Sequence, residues 1–276
     1  MPELPEVEHV VRALRRSIVN RRILAAELKL PRLLVQPSPS SFKRKLRGTL
    51  ITEVSRRGKY ILITLDNDHV LLVHLRMTGK FISVSLDDPL PPYSHVVFHL
   101  DNDRRLVFSD MRQFGRLRLL ASKALAELVQ ITRLAPEPLL DEFTQEYFLA
   151  TLKKSRRSLK QLLLDQTKIL GLGNIYASEA LFLARISPFK SADTLSRKRA
   201  LLLFAAIRDV LHEAIEAGST LKIDLEDRNG SYFGSDVRFW RVYERVDERC
   251  VNCGTKIRRA VQGGRSTYYC PKCQKT

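Results

Sequence analysis

Apolar residues recur at helical spacing near the start of the chain. Val7, Val10, Val11, Leu14 and Ile18 fall on one face of residues 5–19 and predict an amphipathic helix. From about residue 22 to about residue 120 the period shortens. Apolar runs at 59–65 and 69–75 flank Asp66-Asn67-Asp68, and runs at 95–100 and 104–108 flank Asp101-Asn102-Asp103. Repeated short apolar runs separated by turn residues predict a β-sandwich. Ala135-Pro136-Glu137-Pro138 interrupts the pattern and reads as a linker. Helical spacing then returns over 144–152, 158–165, about 174–184 and 196–217, with Ser196 and Gly218 placed to cap the last of these. Gly171-Leu172-Gly173 leads into the helix at Asn174. The unpaired N–H groups of that helix start suit either a phosphate or an ordinary helix–turn–helix corner.

Composition and charge narrow the functional class. The 276 residues are 44% apolar, ordinary for a globular protein, and suffice for two domains. No apolar run approaches the length needed to span a bilayer. Forty-seven Lys and Arg stand against thirty Asp and Glu, a formal charge of +17. Such an excess points to a polyanionic partner. The basic residues, including Lys43-Arg44-Lys45 and Lys153-Lys154 with Arg156, Arg157 and Lys160, interleave with periodic apolar ones. Without a lipidation motif or a polybasic segment beside a membrane span, nucleic acid is favoured over a membrane surface.

The four cysteines form two CxxC pairs, Cys250/Cys253 and Cys270/Cys273, sixteen residues apart. This is the spacing of a four-cysteine zinc ribbon, with one structural Zn²⁺ and no open ligand position. The competing reading, two disulfides in a secreted protein, lacks an apolar signal segment and any other mark of an oxidising compartment.

The first residues, Met1-Pro2-Glu3-Leu4-Pro5-Glu6-Val7-Glu8, carry a second kind of chemistry. Removal of Met1 would expose the secondary amine of Pro2. Attack on a sugar carbon would then give an iminium cation that has no N–H proton to lose. An α-amine titrates near about 8, against about 10.4 for lysine, so much of it is neutral and nucleophilic at cellular pH. Glu3 is placed to move protons. The plainer reading is a helix start, with Pro at the first turn and Glu3 and Glu6 complementing the helix dipole.

The chain resembles bacterial formamidopyrimidine-DNA glycosylases along nearly its whole length. The matching blocks are residues 2–8, Arg57-Gly58-Lys59-Tyr60, His74-Leu75-Arg76-Met77-Thr78-Gly79, Asp110-Met111-Arg112-Gln113-Phe114-Gly115, Leu163-Leu164-Asp165-Gln166, Gly173-Asn174-Ile175-Tyr176 and the terminal cysteine pairs. The resemblance implies an α+β chain: an N-terminal β-sandwich with an N-terminal helix over 1–134, a linker over 135–143, a helix–two-turn–helix domain over 144–240 and a zinc finger over 241–276. It implies excision of oxidised purines (8-oxoguanine, formamidopyrimidines) from duplex DNA through an N-terminal proline Schiff base, then backbone cleavage by β- and δ-elimination. It further implies a cytoplasmic bacterial protein, on the nucleoid through DNA, with a monomer as the simplest expectation.

Site roles follow from the same resemblance. Pro2 would attack C1′, Glu3 would handle protons and Glu6 would support the N-terminus. Lys59 would be the proton donor of β-elimination. Arg265, after Gln262-Gly263-Gly264, would be the finger arginine of δ-elimination, suited by its planar fork to grip a phosphate. Met77, Arg112 and Phe114 would fill the hole left by a flipped base, wedge the duplex and hold the orphaned partner, implied to be cytosine. His74, His95, Arg112, Arg156, Lys160, Asn174 and Tyr243 match DNA contacts.

The match weakens at about 218–238, where the family carries a loop that closes over the flipped base. Gly218-Ser219-Thr220 at its start and Tyr232-Phe233 at its end survive, but the centre of the stretch Leu221 to Phe233 is more acidic, Lys222 replaces the common arginine, and Glu244 stands where glycine is usual. An endonuclease VIII-type enzyme preferring oxidised pyrimidines is one alternative, opposed by Leu4 and by the Met77/Arg112/Phe114 set. A zinc-ribbon module that binds distorted duplex without cutting it is another, opposed by Pro2-Glu3.

Overall fold

The computed structural model describes residues 2–125, 134–216, 223–227 and 240–275. The chain divides into two compact units. One comprises Met1–Pro2, Glu6–Ile131 and Thr220–Ser235, the other Glu3–Pro5, Thr132–Ser219 and Asp236–Thr276.

In the first unit, helix α1 (Leu4–Ile18) runs as its apolar spacing requires. Val7, Val10, Val11, Leu14 and Ile18 are wholly buried, while Arg12, Arg15 and Arg16 face outward. Each such side chain contributes about 1.5–3 kcal/mol by leaving water. The strands are β1 (Arg22–Leu28), β2 (Leu34–Gln36), β3 (Thr49–Arg57), β4 (Tyr60–Leu65), β5 (His69–His74), β6 (Gly79–Ser85), β7 (Ser94–Leu100), β8 (Arg104–Asp110) and β9 (Arg116–Ala121), with helix α2 (Pro39–Leu46) between β2 and β3. The two hairpins expected around the Asp-Asn-Asp turns form as β4–β5 and β7–β8. The last residue of each turn, Asp68 or Asp103, is left-handed at φ 58° or 56°. Aspartate tolerates this conformation better than most residues, which closes a three-residue hairpin loop.

The strands form one hydrogen-bonded series, β2-β9-β5-β4-β3-β1-β7-β8-β6. β3 joins its halves, pairing along β4 but with β1 only at Arg22↔Leu50 and Ile23↔Thr49. Ile61, Val73 and Leu117 from one half share a core with Phe81, Phe98 and Phe108 from the other. The two layers are thus one strand series folded over. Leu225 also enters this core, its carbonyl accepting from the Ser83 N–H at 2.6 Å.

In the second unit, α3 (Gln145–Lys153), α4 (Leu159–Leu163), α5 (Asn174–Leu183) and α6 (Arg197–Glu216) surround an apolar cluster that includes Leu4. Thr144 and Ser158 cap α3 and α4 by accepting from the N–H groups of Tyr147 and Gln161, each worth about 1 kcal/mol. Ala135 and Glu137 are buried, and the Leu170 N–H donates to the Pro136 carbonyl at 3.2 Å. A two-stranded hairpin, β10 (Arg258–Gln262) and β11 (Arg265–Tyr269), lies between the cysteine pairs. Among the described residues, no helix is long and apolar enough to cross a membrane. Gly218, Lys222 and most of the expected lesion-capping loop lie outside the described residues.

Candidate functional site

The start of α5 is the first feature that chemistry can use. Gly173 precedes it as an extended residue with no side-chain cap. The Glu3 carboxylate takes the cap's place: Oε1 accepts from the Ile175 N–H at 2.9 Å and Oε2 from the Tyr176 N–H at 3.3 Å. The sequence left this helix start open to a phosphate or to an ordinary corner. Two of its orphan donors and its positive dipole end are met by the chain's own carboxylate. Gly173 allows the approach, since a Cβ there would lie 2.3 Å from the Glu3 carboxyl carbon. Leu4 continues the docking, its N–H donating to the Gly171 carbonyl at 3.2 Å. Gly171 is left-handed at φ 91° and closes on the Leu4 side chain.

Lys160 lies behind this turn. It is wholly buried, and Nζ donates to the Asn174 carbonyl at 2.7 Å and to the Ser178 hydroxyl. Burial pulls its pKa down to about 7, against the opposing pull of Glu3 and Glu179 and with some help from Arg265. The expected DNA contact therefore points inward. Its neighbour Arg156 is the reverse, with a side chain 96% exposed. Asn174 donates from Nδ2 to the Ser266 carbonyl at 2.9 Å, linking the helix start to the β11 strand. The Tyr243 ring packs edge-on against Tyr268, and burial raises its hydroxyl to about 12.

Glu179 carried no sequence expectation. It sits among buried Ala177, Ala180 and Leu181 on α5, and its carboxylate accepts from the N–H groups of Arg241, Val242 and Tyr243 at 2.8–2.9 Å. An acidic residue within an apolar helix was the available signal, because burial demands partners for it. These bonds fasten the start of the cysteine module to α5.

In that module the four sulfurs lie within 4.8 Å of one another. Cys253–Cys270 and Cys250–Cys273 are 3.5 and 3.8 Å apart, too far for a bond of about 2.05 Å. A tetrahedron with bonds of about 2.3 Å has edges of roughly 3.8 Å, so the set fits one metal ion. Gly254, left-handed at φ 71°, completes the first knuckle by donating to the Cys250 carbonyl at 2.9 Å. Burial and neighbouring sulfurs push the Cys270 and Cys273 thiols up, a cost that a bound cation reverses. Gly263 and Gly264, at φ 55° and 74°, form the two-residue turn of the hairpin, and exposed Arg265 follows them. Paired positive φ is what a type I′ turn requires.

In the first unit, Pro2, Glu6 and Lys59 are buried. His74 ends β5 against the edge of the Tyr60 ring, and its Nδ1 accepts from the Arg76 N–H at 3.0 Å. Burial lowers its pKa to about 3, helped by Arg76 and Lys59. The folded value lies below the unfolded one, so the stability it carries is full above about 6.5 and is lost as pH falls towards 3. We expect NMR to show a His74 ring that stays neutral from about pH 8 to about pH 4.5. A midpoint near about 6.5 would mean a solvated imidazole. A neutral ring has only Nε2–H to offer a phosphate, a hydrogen bond without a charge. His95 donates from Nε2 to the Asp110 carbonyl at 2.9 Å.

Met77 and Phe114 are 37% and 48% exposed, and the Arg112 guanidinium lies 4.9 Å from the Phe114 ring centroid. All three sit on loops next to β6, β8 and β9. The acidic departure at 223–227 has local partners, with Glu226 pairing with Arg104 at 2.6 Å and the charge of Asp227 acting on Lys80.

Comparison with known proteins accounts for both units. Residues 1–117 match the formamidopyrimidine-DNA glycosylase N-terminal domain, 134–224 the H2TH domain of that glycosylase, and 247–276 a zinc finger found in FPG and IleRS. The formamidopyrimidine-DNA glycosylase of Pelotomaculum thermopropionicum is 46% identical over 100% of this chain and 99% of its own length. That of Bacillus subtilis is 39% identical over 99% of each. Among solved structures, MutM in complex with carbocyclic 8-oxo-G containing DNA aligns at a TM-score of 0.91 with 35% identity, covering 100% of both chains. Lactococcus lactis Fpg with abasic-site DNA aligns at 0.92 with 35% identity, covering 99% of this chain and 100% of that one.

Proposed function

Since this chain belongs to the formamidopyrimidine-DNA glycosylase family, we propose that it removes oxidised purines from duplex DNA and cuts the backbone at the resulting abasic site. The observation that carries the reading is the seat of Glu3 on the first turn of α5, one residue from the proline whose amine does the chemistry. In this reading the Pro2 nitrogen attacks C1′ of the damaged nucleotide, the C1′–base bond breaks and the base leaves with a proton. Glu3 supplies and recovers protons as the sugar opens, and its fixed position keeps it within reach at each step. The iminium draws electrons from C2′, so the C2′ proton is lost and the 3′ phosphate departs. A second elimination releases the 5′ phosphate.

The other residues take supporting roles. Lys59 donates the proton of β-elimination, and Glu6 supports the N-terminus. Exposed Arg265 at the hairpin turn grips the phosphate that leaves in δ-elimination. Arg156, Asn174, Tyr243, His74 and His95 hold the DNA backbone. Lys160 acts from inside, bracing the Asn174 carbonyl beneath the helix start on which Glu3 sits. Met77, Arg112 and Phe114 fill the space of the extruded nucleotide. Cys250, Cys253, Cys270 and Cys273 hold one Zn²⁺, whose chemistry is structural because four thiolates leave no open position.

Borohydride reduction tests the central step. We expect the metal-loaded protein to be trapped covalently on duplexes carrying 8-oxoguanine opposite cytosine and on abasic-site duplexes, with the adduct mapping to Pro2. Pro2→Gly keeps an α-amine but loses the secondary one, so coupled strand cleavage should fall at least about 10-fold. Unchanged kinetics would contradict the role of the ring nitrogen. Trapping on abasic DNA alone would keep the lyase and remove the purine specificity.

A further inference from the structure

The residues proposed to fill the flipped-base void lie on two loops, and one buried carboxylate is bonded to both. Asp110 ends β8 opposite Gly79, the first residue of β6, and is wholly buried. One carboxylate oxygen accepts from the Thr78 hydroxyl, and the other accepts from the Gly115 N–H at 2.7 Å. The Thr78 hydroxyl oxygen accepts in turn from the Arg112 N–H at 3.0 Å. The Asp110 carbonyl accepts from the Gln113 N–H at 3.2 Å and from His95, and its own N–H donates to the Tyr93 carbonyl at 3.1 Å. The carboxylate therefore reaches the 75–79 loop through Thr78 and the 111–115 loop through Gly115, and Thr78 passes the constraint on to Arg112.

The surroundings leave these loops little slack. A Cβ at Gly79 would sit 2.4 Å from the Leu75 carbonyl oxygen, and one at Gly115 would sit 2.6 Å from the Phe108 ring. Arg76 and Gln113, beside Met77 and Arg112, hold left-handed φ angles of 57° and 58°. Such conformations cost about 1–3 kcal/mol each and persist only where the surroundings over-determine them. Exposed tips on a buried, hydrogen-bonded base are what insertion into a base stack requires, because ordering the loops at the moment of binding would subtract from affinity.

We propose that Asp110, acting through Thr78 and Gly115, is the positioning residue that presets the void-filling loops, so that it governs extrusion of a paired base rather than the chemistry at C1′. The proposal rests on the void-filling reading of Met77, Arg112 and Phe114. Asparagine keeps the shape of Asp110 but turns one acceptor into a donor facing another donor. Valine at Thr78 removes the hydroxyl relay, and serine restores it.

Single-turnover excision of 8-oxoguanine is measured on two duplexes, one with the lesion opposite cytosine and one with it opposite an abasic analogue, which leaves no orphan base to hold. We expect Asp110→Asn and Thr78→Val to slow excision about 10- to 100-fold on the paired duplex, the rate equivalent of losing a buried hydrogen bond to a charged group. Opposite the abasic analogue the loss should shrink to within about 3-fold, and Thr78→Ser should recover most of the rate on both. Equal losses on the two duplexes, or a serine variant no better than valine, would overturn the proposal. If Asp110→Asn fails to fold, the Thr78 pair decides alone. Arg112→Ala separates the two readings: if it does not distinguish the duplexes, the void-filling role itself is wrong. If Arg112→Ala distinguishes them and the Asp110 and Thr78 variants do not, only the positioning role falls.

Discussion

Gly173→Ala is expected to give a folded, metal-loaded protein that releases 8-oxoguanine at least about 100-fold more slowly, the range associated with losing a positioned general acid–base. Residue 173 is extended, a conformation alanine adopts freely, so the backbone does not resist the change. The added methyl meets the Glu3 carboxyl carbon and Oε1 at 2.3 Å and Cγ at 2.7 Å. Those atoms end a flexible side chain, so relief comes by driving the carboxylate off the Ile175 and Tyr176 N–H groups while the fold survives. Stability should therefore fall by only about 1–3 kcal/mol, the cost of leaving those donors unpaired. Glu3→Gln should be similarly slow, and the double variant little slower than either, because both changes remove one function. Rapid excision by Gly173→Ala with unchanged melting would mean that the Glu3 carboxylate needs no fixed seat.

Cys253→Ser should produce the second large effect, confined to the other end of the chain. A structural Zn²⁺ held by four such sulfurs would bind with about 10–16 kcal/mol, and that binding energy would be folding energy. Without it the module retains a small core of Phe182, Val242 and Ile257 with the cysteines themselves. We expect metal content to fall to near zero, the β10–β11 amides to lose protection from hydrogen exchange, and DNA affinity to drop at least about 100-fold. The affinity estimate corresponds to losing about two charge-assisted phosphate contacts, that of Arg265 among them. Exchange in β4, β5, β7 and β8 should be unchanged, since no cysteine lies in that unit. Full affinity in the metal-free protein would remove the module from DNA binding.

Features of this chain were legible in the sequence where their causes are local. The Asp-Asn-Asp turns, the helical spacing that begins at Thr144 and Ser158, the apolar stripe of α1 and the paired CxxC knuckles each depend on residues within a turn or two of one another. The sandwich was legible as alternating short strands. That all nine join one hydrogen-bonded series through two residues of β1 was not, because strand order is set by which edges meet. Lys160 shows the limit at a single position: in sequence it ends a basic run suited to phosphates, yet it is sealed beneath Asn174.

The sequence alone determined which chemically distinctive groups exist: a proline beside a carboxylate near one end, four thiols in two pairs near the other, and a large positive charge over the chain. Periodicity and turn chemistry, which act over a few residues, determined most of the elements that carry them. Only the tertiary structure decided how the groups are held. It seated Glu3 on an α5 turn some 172 residues away, closed three N–H groups near Val242 around Glu179, and tied Thr78 to Asp110 across 32 residues. These contacts arise because buried donors and acceptors must find partners, and which partner lies within reach is settled only when the apolar faces have packed.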